Sequence, residues 1–187
     1  MNQPNITLVI IAVIVIAAVA VLGWWYSRRR RTQHLRERFG PEYDRVVHEQ
    51  GNLRKGEGVL EFRAKKREQL RIIPLSSPVR SDFANRWTRV QSRFVDDPKG
   101  SVAEADQLVT ELMHARGYPM ADFDQQAELI SVDHPRVVQN YRAGHEIALR
   151  HGRGQASTED LRTAMVHYRS LFDELLEDTP EPKEARG

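Results

Sequence analysis

Cysteine is missing from all 187 residues, which excludes disulfides, thiolate metal sites and cysteine nucleophiles without naming a compartment. Strand-like alternation of apolar and polar residues is missing too, as is any internal repeat, so no sheet is expected. No His-Glu-x-x-His, phosphate-binding loop or Gly-x-Ser-x-Gly elbow occurs, which removes the commonest zinc-hydrolase, nucleotide and serine-hydrolase readings. Charge is missing from the first stretch of the chain. From Ile6 to Tyr26 run 21 uncharged residues rich in Ile, Val, Leu and Ala, a helix of about 31 Å that matches the hydrocarbon thickness of a bilayer.

That run closes on Trp24, Trp25 and Tyr26, rings suited to the boundary between hydrocarbon and water, and Arg28, Arg29, Arg30 and Arg31 follow directly. The flank from Met1 to Asn5 carries no side-chain charge. Positive charge on the C-terminal flank alone predicts that the N-terminus faces outward and the remainder lies in the cytoplasm. A cleavable signal would place its positive charge before a shorter apolar run and end at a small-residue cleavage site, and none of these is present. A buried core helix is the alternative, but a protein of this size has too little mass to surround an apolar cylinder.

The net charge of +2 conceals a gradient: Arg28 to Arg71 holds 14 Lys and Arg against 7 Asp and Glu, and Ile72 onward holds 14 against 19. The chain is basic beside the apolar run and acidic beyond it, which suits a protein standing on an anionic lipid surface. The computed pI of about 9.0 raises nucleic-acid binding. The basic residues nevertheless cluster next to the apolar run without interleaved aromatics, so lipid is the expected partner and nucleic acid is not.

Helical periodicity organises the remainder. Leu35, Phe39, Tyr43 and Val46 recur at three and four, interrupted by Gly40-Pro41, which predicts a helix continuing to about Phe39 and a second through Gln50, ended by Gly51-Asn52. Val59, Phe62, Leu70 and Ile73 form the thin apolar stripe of a third, basic helix with Arg63, Lys65, Lys66 and Arg67 in its middle. A solvated charged face is the simpler reading of those four. The sharper one is headgroup contact, with Arg54 to Arg71 lying along the inner leaflet. Ile73 to Arg80, with two prolines and two serines, predicts an extended linker.

Phe83, Trp87, Val90 and Phe94 mark the next helix, ending near Asp97-Pro98, with Arg86, Arg89 and Arg93 on another face. Ser101 is placed to cap a helix with Val102, Ala105, Leu108, Val109, Leu112 and Met113 on one face, ended by Gly117 and Pro119. A short helix carries Phe123, Ala127 and Ile130. Pro135 opens another with Val138, Tyr141, His145 and Leu149 on one side, its start capped by Ser131 or Asp133. Ser157 and Asp160 have capping-box spacing before Leu161, Ala164, Met165, Tyr168, Leu171, Phe172 and Leu175, a last helix of four to five turns. The polar tail beyond Asp178 is expected to be disordered.

Candidate chemistry is sparse. Glu111 and His114 make one Glu-x-x-His pair, but a di-iron site needs a second, and none of the other six histidines has Glu three residues before it. His145 on an apolar stripe is expected to be a hydrogen-bonded core histidine, and His134 to belong to a helix start. Asp96 and Asp97 are adjacent, so they do not face each other as an acid and base pair must. Anions are also disfavoured at the helix C-terminus they occupy, and periodicity alone does not explain them. No catalytic residue, metal or cofactor is assigned.

The stretches LRERFGPEYDRVV from Leu35, WTRVQSRFVDDP from Trp87, ADQLVTELMHARGYP from Ala105, SVDHPRVVQNYR from Ser131 and STEDLRTAMVHYRSLFDELL from Ser157 resemble a family of bacterial, mainly actinobacterial, single-pass membrane proteins with an all-helical soluble domain. The resemblance covers most of the chain after the apolar run. It implies a continuous fold and a bacterial source, and it brings no activity, substrate or catalytic residues.

The expected architecture is all-α: an N-terminal transmembrane helix, a basic juxtamembrane helical segment and a small helical-bundle domain. In residues this is a short external N-terminus (1–5), the span (6–26), the juxtamembrane segment (27–73), a linker (74–80), the helical domain (81–178) and the tail (179–187). The expected role is a membrane-tethered interaction or scaffold module at the inner face of the plasma membrane, binding lipid and an unidentified protein. Two rivals stand beside it: an enzyme whose site assembles from Glu111, His114, His134 or His145, and an anionic-lipid surface sensor.

Overall fold

A computed structural model describes residues 3–177, with side chains from residue 12 onward. Among the described residues there are eight helices and no strand: α1 (Gln3–Phe39), α2 (Pro41–Gln50), α3 (Leu53–Glu68), α4 (Ser77–Arg93), α5 (Pro98–Ala115), α6 (Phe123–Asp133), α7 (Val138–Gly152) and α8 (Thr158–Glu177). The tail expected to be disordered lies outside the described residues.

Helix α1 runs for 37 residues without a break, about 55 Å at the standard rise. It is long and apolar enough in its N-terminal part to cross a membrane, and none of that apolar window is buried. Past Tyr26 it becomes arginine-rich, and its last turns bury Leu35 and Phe39. It ends where Gly40 takes φ 48°, a conformation open to glycine but strained for other residues, and Pro41 starts α2 with a φ already set for a helix. Gly51, also left-handed, ends α2, and Asn52 caps α3 by accepting from the backbone N–H of Arg54 at 2.9 Å and of Lys55 at 3.3 Å.

The two tight turns double the chain back twice, so α3 runs beside the end of α1 in the same direction. Arg31 and Thr32 pair with Glu61 and Glu57, and Arg38, further along α1, pairs with Glu68, further along α3. The helices enclose a small core of Leu35, Phe39, Tyr43, Val46, Leu60 and Ala64, joined by Val132 from α6. The inward face of α3 is therefore Gly56, Leu60 and Ala64, together with Glu57 and Arg63. This corrects the expected apolar stripe: Phe62 is 66% exposed and Ile73 is exposed as well. Where α3 meets α2, position 56 has room for no side chain. A side chain at Gly56 would meet the Val47 backbone at 2.8 Å, so glycine lets α2 and α3 close on each other.

The expected linker is shorter than Ile73 to Arg80, because Ser77 to Arg80 already form the first turn of α4 around Pro78. What remains is pinned in place. The Ile73 N–H donates to the Arg116 carbonyl at 3.0 Å, Leu75 is buried, and the Arg71 carbonyl passes so close to Gly117 (φ 95°) that any Cβ there would collide with it.

Helices α4 to α8 enclose the larger core. Val102, Ala105, Leu108, Val109, Leu112 and Met113 of α5 face Leu161, Ala164, Met165, Tyr168, Leu171, Phe172 and Leu175 of α8, all within one buried cluster. Trp87 of α4 stacks on Phe172 with ring centroids 4.5 Å apart. Helix α8 starts with its capping box in place: Asp160 Oδ2 accepts from the Ser157 N–H at 2.8 Å, and Ser157 Oγ accepts from the Asp160 N–H at 3.1 Å.

Three local expectations change. Asp97, not Ser101, caps α5, accepting from the Gly100 N–H at 2.9 Å with Pro98 in the first turn. An acid at Asp97 is thus explained, because it begins the following helix. Ser131 and Asp133 lie within the last turn of α6 and leave the start of α7 without a side-chain cap. The buried line of α7 is Val138, Tyr141, Gly144 and Ile147, and Leu149 is 53% exposed. Gly144 turns inward because the Tyr168 ring occupies the space 3.4 Å from where its Cβ would be.

Candidate functional site

Two polar assemblies stand out, and each arises from the way α2 and α3 fold back. The first lies where these helices meet α6 and α7. Glu42, one residue after Pro41, is completely buried and accepts from Arg45 at 2.6 and 2.9 Å, Arg63 at 3.0 Å, Gln139 at 3.0 Å, and both terminal nitrogens of Arg142 at 2.8 and 3.0 Å. Burial alone would raise its pKa. Hydrogen bonds and charges from Arg45 and Arg142 outweigh that penalty and hold the carboxyl below its ordinary value.

Arg63 reaches on to Glu128 at 3.0 Å, and Arg67 pairs with Asp133, which also accepts from the Tyr118 hydroxyl at 2.5 Å. Burial and the Asp133 charge push the Tyr118 phenol upward. This seam joins the two cores through charge, and it spends arginines of the basic segment on acids of the acidic half.

Two of the four residues considered for lipid contact are therefore paired with acids of this protein, Arg63 buried and Arg67 half-buried. Arg63 is 7% exposed and faces Glu42 and Glu128, while Arg67 faces Asp133. Lys65 is exposed and Lys66 half-exposed. Helix α3 runs beside the end of α1, held there by the pairs of Arg31 with Glu61 and Thr32 with Glu57.

The second assembly is a notch of about 450 Å³ lined by Trp24, Ser27, Arg28, Arg31, Arg54 and Glu57. The α2–α3 turn carries Arg54 back to the level of Arg28, a proximity no local pattern announces. Each aromatic at the end of the apolar run lies beneath the guanidinium four residues on: Arg28 over Trp24 at 5.4 Å, Arg29 over Trp25 at 5.4 Å and Arg30 over Tyr26 at 4.6 Å. One helical turn separates each pair, so that arrangement was legible in the spacing. Arg31 pairs with Glu61, and Glu57 accepts from Thr32 at 2.6 Å and Tyr43 at 3.1 Å. Among the described residues no carboxylate pairs with Arg28 or Arg54.

The groups weighed for catalysis are dispersed in separate local settings. Glu111 pairs with Arg86, whose hydrogen bond holds its carboxyl low, and His114 is exposed. His134 is buried with Nδ1 3.3 Å from Glu174, and His145 stacks on Phe123 at 3.6 Å between ring centroids. Burial pushes the Asp106 carboxyl upward, with Tyr168 and His145 acting in the opposite direction. Among the described residues no group of three or more His, Asp or Glu is arranged to hold a metal ion. Compared with family models, with curated proteins and with solved structures, the chain matches none of them.

Proposed function

We propose that this protein is a single-pass membrane module, N-terminus outside, that holds its helical body at the cytoplasmic face of the plasma membrane and works by binding a protein partner. The observation that carries this reading is the continuity of α1, which passes from its apolar stretch into the smaller core at Leu35 and Phe39 with no intervening loop. A body mounted this way is held at a fixed height, which serves presentation to a partner. Arg28 to Arg31, on one flank only, favour the N-out orientation. The enzyme reading is weaker because Glu111 and His145 are occupied by Arg86 and Phe123 respectively.

A reporter that works only in the cytoplasm, fused after Gly187, should be active, and activity of a strictly external reporter would reverse the orientation. For the binding role, a photo-crosslinking residue is placed at Val95, Met120 or Val166, apolar side chains that are 85%, 72% and 57% exposed. Irradiation in the native host should yield a discrete protein adduct from at least one position. Adducts to lipid alone, or none, from all three would overturn the scaffold role.

A further inference from the structure

We infer that the notch between the end of the apolar part of α1 and the start of α3 binds the phosphodiester headgroup of an anionic phospholipid, one lipid per chain. The inference rests on the transmembrane reading of α1 and goes beyond it by naming a ligand and its residues. Trp24 belongs to the aromatic boundary of the apolar run, and Arg28 lies one turn further on, which places the notch at the depth of lipid phosphates.

The chemistry of the lining fits that depth. Arg28 and Arg54 present guanidinium groups whose forked N–H donors match phosphate oxygens, and the Ser27 hydroxyl is a further donor. Neither arginine has a carboxylate partner among the described residues, unlike Arg31, which is engaged by Glu61. Glu57 is turned toward Thr32 and Tyr43. With Glu57 and Glu61 counted against the three arginines, the notch keeps a formal charge of +1, which one phosphodiester neutralises. The first N–H groups of α3 are already capped by Asn52, so recognition falls to the side chains.

The test uses the full chain purified in detergent and offered equimolar phosphatidylglycerol and phosphatidylcholine, with bound lipid counted by native mass spectrometry. One phosphatidylglycerol should be retained in preference. At about fivefold in affinity per basic residue, Arg28→Gln with Arg54→Gln should weaken it about thirtyfold. Arg29→Gln with Arg30→Gln removes the same charge outside the notch and should preserve the preference. Equal loss in both double variants, or no loss in the first, overturns the inference. In a parallel arm inorganic phosphate replaces lipid, and displacement of phosphatidylglycerol at matching concentration would make this a soluble-anion site and overturn the lipid assignment. Alkaline carbonate extraction of the same chain from native membranes separates the two readings: release would defeat the transmembrane placement, whereas retention without phosphatidylglycerol preference would defeat the notch alone.

Discussion

Replacing Glu42 by Gln probes the charged seam most directly. The buried carboxylate takes hydrogen bonds from Arg45, Arg63 and Arg142, and the amide retains a single acceptor oxygen with no charge. Arg63 keeps Glu128 and Arg45 keeps Glu49, but Arg142, whose side chain is only 21% exposed, has no other salt bridge in the seam. Removing one member of a buried ion network costs about 3 to 5 kcal/mol, because the charges left behind are already out of water. The loss should be local. Hydrogen exchange of the full chain should accelerate in α2 and α3, while α5 and α8, in the other core, keep their protection.

The acid dependence of that protection has a defined sign. A carboxyl held below its ordinary value of 4.5 in the folded state contributes stability that is complete above that value and is lost as pH falls through the lower folded value. Wild-type α2 and α3 should therefore lose protection below about pH 4.5, and Glu42→Gln should flatten that component. Uniform acceleration across both cores, or unchanged exchange in α2 and α3, would refute the assignment of Glu42 as the joint between them.

Leu112→Ala, at a completely buried position of α5, should cost about 2 to 5 kcal/mol in thermal or denaturant unfolding, while exposed Arg89→Ala should stay within about 0.5 kcal/mol. Asp97→Ala should cost about 1 kcal/mol through loss of the α5 cap. Ser101→Ala should be neutral or slightly stabilising, since its buried hydroxyl has no hydrogen-bond partner. An equal loss from these two would restore Ser101 as a cap. Gly117→Ala must place a Cβ against the Arg71 carbonyl with φ 95°, and should lower the melting temperature and loosen residues 71–76 in exchange experiments.

Large apolar residues at spacings of three and four announced α4, α5 and α8 in the sequence; the buried face of α8 matches its pattern residue for residue, that of α5 adds Ser101, and that of α4 stops at Val90, with Phe94 only partly buried beyond the helix end. The misreadings fall where the inward face is built from something else. In α3 it is Gly56, Ala64 and the paired Arg63, and in α7 it is Gly144. Periodicity counts neither glycine nor charge as core, so α3 looked amphipathic in the wrong direction. The seam and the notch were illegible for a related reason: Glu42 with Arg142, and Arg28 with Arg54, meet only after the turns at Gly40 and Gly51 have set the path. Asp97 was hidden by a boundary error, having been assigned to the helix it leaves instead of the one it starts.

The uninterrupted α1 also has a rotational meaning. A helix turns about 100° per residue, so adding one residue between Ser27 and Arg31 would rotate the whole body by that angle about the span, and seven would return it to within about 20° of its starting phase. Tilt is transmitted in the same way. On the transmembrane placement proposed above, a span leaning by about 20° carries Phe39, about 20 Å further along the rigid helix, sideways by roughly 7 Å. On that placement, bilayer thickness sets the direction in which the helical body points.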